Sequence, residues 1–335
     1  VRAIPSTGIV HVKIQGDSKV FDSVGMKGID TSNGPKRLEY LAIPADKYVP
    51  HLAGGGKQPY VVSAMSDKEV RQLMSPNQSL KSKLLSRDPP GPIAYINGGF
   101  YGHTGIREDE IDIKSYAANA PIGDAKVKGI KQIEGVRPQD AYEHDYHRVT
   151  FPNGSYVTLA PLLAGVNETT NQYENKFSAE KAANPKYVFE NTPLNRPGEL
   201  GHASHPNARS AIDFPSSSRP AASPTALKTN QYRMVIAGDD SGVRGVSSTG
   251  MQMAEIAIAV TQLGAFNRDP GYAIACDGGS STTMGVIDGQ GKSLLSVQGL
   301  LNESSAVNFV ALASSNPPKP TEDATAKRTP YVAKP

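Results

Sequence analysis

Apolar positions in this chain recur mostly in short alternating runs, the two-residue period of strands, and seldom at helical spacing. Ile9–Ile14, Arg37–Ile43, Tyr60–Met65, Pro92–Ile96 and Tyr232–Ala237 each predict a strand. So do Tyr272–Cys276, Met284–Ile287, Lys292–Val297 and Ala306–Leu312. Arg148–Phe151 and Ser155–Leu159 flank Pro152-Asn153-Gly154, the strongest hairpin signal present. Two helices stand out. Ser66-Asp-Lys-Glu69 reads as a capping box opening a short helix with Val70, Leu73 and Met74 on its inner face. Thr249-Gly-Met-Gln252 reads as the start of a longer one, where Met253, Ile256, Ala257, Val260 and Leu263 keep helical spacing until Gly264.

Between these elements, residues 103–145 are charged and aperiodic. Residues 165–207, rich in Asn, Pro and Glu, read as a long surface loop or lid. The order of elements predicts an α+β fold: a mixed, strand-rich sheet flanked by few helices, in a single domain spanning 60–314. Residues 1–59 read as N-terminal strands and loops packed on that domain, and 315–335 as a flexible tail. A doubly wound parallel sheet is not expected, because strands and helices do not alternate regularly.

Composition narrows the class. The chain has 335 residues, 32 Gly and 26 Pro, a content that suits many turns between strands. Its net charge is only +3 and the basic residues are dispersed, which leaves no nucleic-acid footprint. No apolar run is long enough for a membrane span. A single cysteine excludes an intrachain disulfide. No leader peptide is visible at the start of the sequence, so the compartment stays open.

The chemistry concentrates where strands end. Tyr272–Cys276 runs into Asp277-Gly278-Gly279-Ser280-Ser281-Thr282-Thr283, a turn whose bare N–H groups and hydroxyls suit an anion, phosphate above all. Read alone, it serves equally as an exposed hairpin turn. Pro92–Ile96 likewise runs into Asn97-Gly98-Gly99-Phe100. If the two strands are neighbours, both corners open on one sheet edge. Asn97 then offers an amide to a sugar or phosphate, and Asp277 a carboxylate. Arg209-Ser210-Ala211-Ile212 is a third element, with a guanidinium at the mouth of a strand where it can grip phosphate with two parallel bonds. His103, His202 and His205 show no zinc spacing, and Glu108-Asp109-Glu110 with Asp112 lacks the pattern of a calcium loop. Cys276 reads as a small buried apolar residue.

Together these residues resemble the phosphodiester glycosidase family. The resemblance runs from about residue 60 to 313 and rests on five pieces in order. These are Asn97-Gly98-Gly99-Phe100, Arg209-Ser210-Ala211-Ile212, Gly250 through Glu255-Ile256-Ala257, Asp277-Gly278-Gly279-Ser280-Ser281-Thr282, and Val307-Asn308-Phe309-Val310. Asp213 and Ser280 stand where the family has glycine, and an arginine usual before the last asparagine is missing near Ser304. The resemblance implies hydrolysis of the anomeric C1–O bond of a sugar-1-phosphodiester, with Asp277, Arg209 and Glu255 as catalytic candidates. Asn97, Gly98, Gly99, Ser210, Gly278, Gly279, Ser280, Ser281, Thr282 and Asn308 would hold substrate and phosphate. It implies no required cofactor; a divalent metal is compatible, but no motif marks one. It favours an extracytoplasmic or secreted protein. A non-catalytic phospho-glycan-binding module, and a delivered effector acting on a nucleotide-type anomeric phosphate, are the other readings of the same residues.

Overall fold

Successive side chains of the Asn308–Ser314 strand enter different cores: Val310 and Leu312 face one way, Phe309 and Ala311 the other. Strand geometry sends neighbouring residues to opposite faces, so a sheet built from such strands is covered on both sides. The computed structural model describes residues 1–54, 60–75, 91–101, 121–128, 135, 137–138, 143–187, 200–218, 228–242, 248–300, 305–314 and 325–332.

In chain order the strands begin with β1 (Arg2–Ala3), β2 (Val10–Gly16), β3 (Lys36–Pro44), β4 (Tyr48–Gly54), β5 (Tyr60–Val61) and β6 (Ile93–Asn97). Next come β7 (His147–Thr150), β8 (Tyr156–Leu159), β9 (Leu162–Val166), β10 (Tyr173–Asn175), β11 (Arg209–Pro215) and β12 (Gln231–Gly238). The last are β13 (Pro270–Ala275), β14 (Thr283–Ile287), β15 (Ser293–Gln298), β16 (Ser305–Ala306), β17 (Asn308–Ser314) and β18 (Lys327–Pro330). Four α-helices occur among the described residues: α1 (Ser18–Ser23), α2 (Asp67–Met74), α3 (Ala179–Ala182) and α4 (Met253–Gly264).

The fold is α+β and strand-rich, as expected, but it holds several antiparallel sheets in place of one mixed sheet. An eight-stranded sheet runs β1-β2-β3-β12-β11-β13-β9-β10, and a five-stranded sheet runs β15-β14-β6-β17-β4. The two stack face to face over a core that includes Leu41, Ile212 and Ile236 from the first, and Ile96, Val286 and Val310 from the second. On the outer face of the larger sheet, Ile256 and Val260 of α4 pack on Leu38, Val235 and Ala273. On the outer face of the smaller one, Val70, Leu73 and Met74 of α2 pack on Tyr95 and Phe309. The layers therefore run helix, sheet, sheet, helix. Each large side chain buried this way contributes about 2 kcal/mol.

Several local expectations change. Residues 1–54 do not lie against a finished domain: β3 pairs with β12 inside the larger sheet, and β4 pairs with β17 in the smaller one. Tyr60–Met65 is a strand only over Tyr60–Val61, because the chain must turn through Val62–Ala64 to reach the Ser66 cap of α2. The long helix is capped at Gln252 and not at Thr249, whose hydroxyl is bonded to Asp239 Oδ1 (3.2 Å) and Asp240 N (3.1 Å). The described parts of residues 165–207 are no simple surface loop: Phe177, Ala182, Tyr187, Leu200 and Ala203 are buried in the core beneath α4, while residues 188–199 lie outside the described residues. Lys327–Pro330, within the stretch whose composition predicts a loose tail, pairs with β7, and the Arg328 guanidinium lies 5.4 Å from the centre of the Tyr272 ring. No described helix is long and apolar enough to cross a membrane.

Candidate functional site

The two glycine corners meet, though not by the route their spacing predicts. β6 and β13 are not neighbours; they belong to different sheets. The corner after β13 carries the chain from the larger sheet into β14 of the smaller one, and β14 lies beside β6. Side-chain and backbone bonds then lock the corners together. Asn97 Nδ2 donates to Asp277 O (2.7 Å), and Asn97 Oδ1 accepts from Thr283 N (3.1 Å). Asp277 N donates to Gly98 O (2.8 Å), while Gly98 N donates to Asn308 O (2.9 Å). Gly99 N donates to Asn308 Oδ1 (2.8 Å). A Cβ at position 98 would overlap the Asn308 side-chain oxygen and displace it from Gly99 N. On this geometry the amides of Asn97 and Asn308 frame the site, with the bonds above directed at backbone.

β11 brings the third element alongside, through its pairing with β13. Ser210 Oγ donates to Asp277 O (2.5 Å), Cys276 N donates to Ser210 O (2.9 Å), and Gly279 N donates to Ala208 O (2.8 Å). Gly279 takes a φ of 60°, which a glycine holds without strain. The Arg209 guanidinium is buried. Its Nε donates to Met251 O (3.2 Å) and its Nη2 to His205 O (2.8 Å). A Cβ on Gly278 would stand 3.7 Å from Arg209 Nη1, so the turn and the guanidinium adjoin. Burial lowers the Arg209 pKa to about 10, against the opposing pull of Glu255 and Asp277.

Asp277 is the unusual group. Its carboxyl is buried, Oδ1 accepts from Gly278 N (2.9 Å), and Oδ2 is enclosed with no hydrogen-bond partner. Burial pushes its pKa up to about 7, although the Ser281 hydroxyl, the Gly278 N–H and Arg209 all favour the anion. A carboxyl tuned to neutrality beside a guanidinium can pass a proton and meet an anion in one place. Gly278, Gly279 and Ser280 are partly exposed and form the approach, whereas Ser281 and Thr282 are buried behind them.

Glu255, the third catalytic candidate, has both carboxylate oxygens bonded to backbone. Its Oε2 accepts from Gln252 N (2.6 Å) and its Oε1 from Asp30 N (2.7 Å), so it caps α4 and ties down the N-terminal segment. Burial raises its pKa. Cys276 is a buried thiol whose pKa burial pushes up, as suits a small core residue. The sequence pattern does not single out Asn207. Its backbone pairs with Met251, and its Oδ1 accepts from Ala208 N (2.9 Å) beside Gly279. Its only sequence signal is its place two residues before Arg209. His103, the His202 side chain, Glu108–Asp112 and Ser304 lie outside the described residues. Among the described residues, no group of three or more His, Cys, Asp or Glu is placed to hold a metal ion.

Fold and site together define a strand-rich α+β domain of two stacked antiparallel sheets, with a buried carboxyl and guanidinium where the chain crosses between them. No family model and no curated protein matches this chain. Among solved structures, it is similar to the catalytic domain of zebrafish N-acetylglucosamine-1-phosphodiester alpha-N-acetylglucosaminidase, auto-inhibited by its pro-peptide. That likeness has 12% identity and a TM-score of 0.43 over 92% of this chain and 84% of that one. A hypothetical protein from Synechocystis is similar at 12% identity and a TM-score of 0.36, over 86% of this chain and 61% of that one. Both likenesses are distant, and nothing about activity follows from them.

Proposed function

We propose that the chain is a hydrolase of sugar-1-phosphodiesters that cleaves the anomeric C1–O bond. The observation that carries this reading is the buried Asp277 carboxyl, its Oδ2 enclosed without a hydrogen-bond partner, on the turn that adjoins the buried Arg209 guanidinium, at the meeting of the Asn97 and Asp277 corners. The sequence resemblance adds the substrate class. A phosphate ester departs as a stable anion, so the reaction needs little proton donation to the leaving oxygen. Arg209, with the Gly278–Ser280 backbone and the Ser280 hydroxyl, balances the charge that gathers on the phosphate as C1–O breaks. Asp277, ionised, takes one proton from the water that bonds to C1. The sugar leaves with a hydroxyl on C1, and the phosphate leaves as a monoester anion. Asn97, Ser210 and Asn308, whose side chains bond backbone of the two corners, hold those corners and their glycines Gly98 and Gly99 in register.

The test is product identity. The panel comprises methyl diesters of glucose, galactose, mannose and N-acetylglucosamine 1-phosphate, with UDP-glucose and UDP-N-acetylglucosamine beside them. Free sugar should appear, by mass spectrometry, from at least one of them. Release of sugar 1-phosphate instead would place the cut at phosphorus and overturn the proposal. Thermal stabilisation by these compounds with no turnover would make the protein a phospho-glycan binder.

A further inference from the structure

The Ser248–Gln252 turn ahead of α4 is gripped at one backbone group after another. Gly250 N donates to Ser248 Oγ (2.9 Å), and Gly250 O accepts from Lys36 Nζ (2.5 Å). Met251 O accepts from Arg209 Nε (3.2 Å), and Gln252 N donates to Glu255 Oε2 (2.6 Å). Lys36 opens β3 and is only 2% exposed. An ammonium at that depth is costly where a methionine of similar volume could pack. Its charge reaches Glu255, that of Glu255 reaches Arg209, and that of Arg209 reaches Asp277. Four buried groups of alternating sign thus connect the N-terminal strand to the site.

We propose that Lys36 is a positioning residue: by holding the Gly250 carbonyl, it fixes the Met251 carbonyl that holds the Arg209 guanidinium beside the Gly278 turn. Neither the sequence motifs nor the resemblance touches this lysine. The kinetic part rests on the hydrolase reading; the positioning itself does not. Among the described residues, the ionisable groups acting on the Asp277 carboxyl are Arg209 from β11 and the adjoining Cys276 thiol. Behind Arg209 stand Glu255 from α4, Asp30 from the loop before β3, and Lys36; His205, whose carbonyl takes the guanidinium, precedes β11.

The test compares the parent with Lys36→Met by two activity-free readouts. One is the titration of the Asp277 carboxyl in protein carrying 13C-labelled aspartate, assigned through Asp277→Asn. The other is hydrogen exchange at Arg209 Nε in protein carrying 15N-labelled arginine. Loss of Lys36 loosens the guanidinium and leaves Glu255 less balanced, and both effects disfavour the Asp277 anion. Its titration should move upward by about half a pH unit or more, and exchange at Nε should speed by about tenfold. With a cleaved substrate, kcat should fall by about 10- to 100-fold with KM changed far less. An unmoved titration and unmoved exchange in the folded variant would overturn the proposal. A parent without turnover whose variant still shows both shifts would sink the hydrolase reading and leave the positioning intact. Should Lys36→Met not fold, Lys36→Gln, which keeps a donor without the charge, carries the same titration test: an upward shift supports the positioning role, and an unmoved titration overturns it.

Discussion

Replacing Arg209 with alanine is expected to lower kcat/KM on a cleaved sugar-1-phosphodiester by about 1,000-fold, the scale seen when a fixed donor to a developing anion is removed. The guanidinium adjoins the Gly278 turn, and its charge favours the anion of the site's carboxyl. The same change also costs stability. Met251 O and His205 O each lose a donor, and Glu255 and Asp277 lose their common cation, a combined cost on the order of 2–3 kcal/mol. Arg209→Lys separates the two effects. It keeps a positive charge, but one ammonium cannot reproduce the flat fork that spans carbonyls and ligand. It should fold well and still lose turnover by about 100-fold. Steady-state kinetics with a melting curve decide the matter: a folded Arg209→Ala with unaltered kcat/KM removes the guanidinium from the reaction.

Asp277→Asn is expected to abolish nearly all turnover while making the folded protein more stable above neutral pH. The parent carboxyl holds its proton up to about pH 7 in the folded state because burial disfavours the anion. In the unfolded chain the same group ionises near pH 4. Between those values the folded state binds the extra proton, so stability declines as pH rises and then levels off above the folded value. Asparagine keeps an oxygen for the Gly278 N–H and carries no charge to bury. At pH 8 the variant should exceed the parent by on the order of 2–4 kcal/mol, with the gap closing toward pH 4. Parent activity should rise with pH through about 7, as the base ionises. Denaturant melts at pH 4, 6 and 8 read the first effect and a pH–rate profile the second. A variant less stable than its parent at pH 8 would mean that the carboxylate is well solvated or firmly paired.

Much of this arrangement was legible from local pattern. The runs Pro92–Ile96 and Tyr272–Cys276 stop at glycines, and both corners lie where those runs end. The reason they meet was not legible. Period-two alternation tells which residues share a face but not which sheet a strand joins, and the Asp277 corner turns out to be the crossing between sheets. β4 is not legible in the sequence because Pro50 and His51 interrupt its apolar run. An edge strand tolerates such a proline, and β4 is the edge of its sheet. Phe177 and Tyr187, with rings 5.1 Å apart, anchor a segment whose polar composition hides them. Charge roles were the least readable. The motif marks Glu255 as a catalytic candidate and does not tell that its oxygens accept from backbone N–H groups. Lys36 belongs to no motif in the sequence, yet it is buried.

The central claim, that this crossing cuts the bond between anomeric carbon and oxygen, is tested most directly by running the reaction in water enriched in oxygen-18. A cut at C1 carries the label into the free sugar, read after rapid reduction to the alditol so that exchange at the anomeric position cannot erase it, and leaves the phosphate monoester unlabelled. Label in the phosphate and none in the sugar would contradict the account.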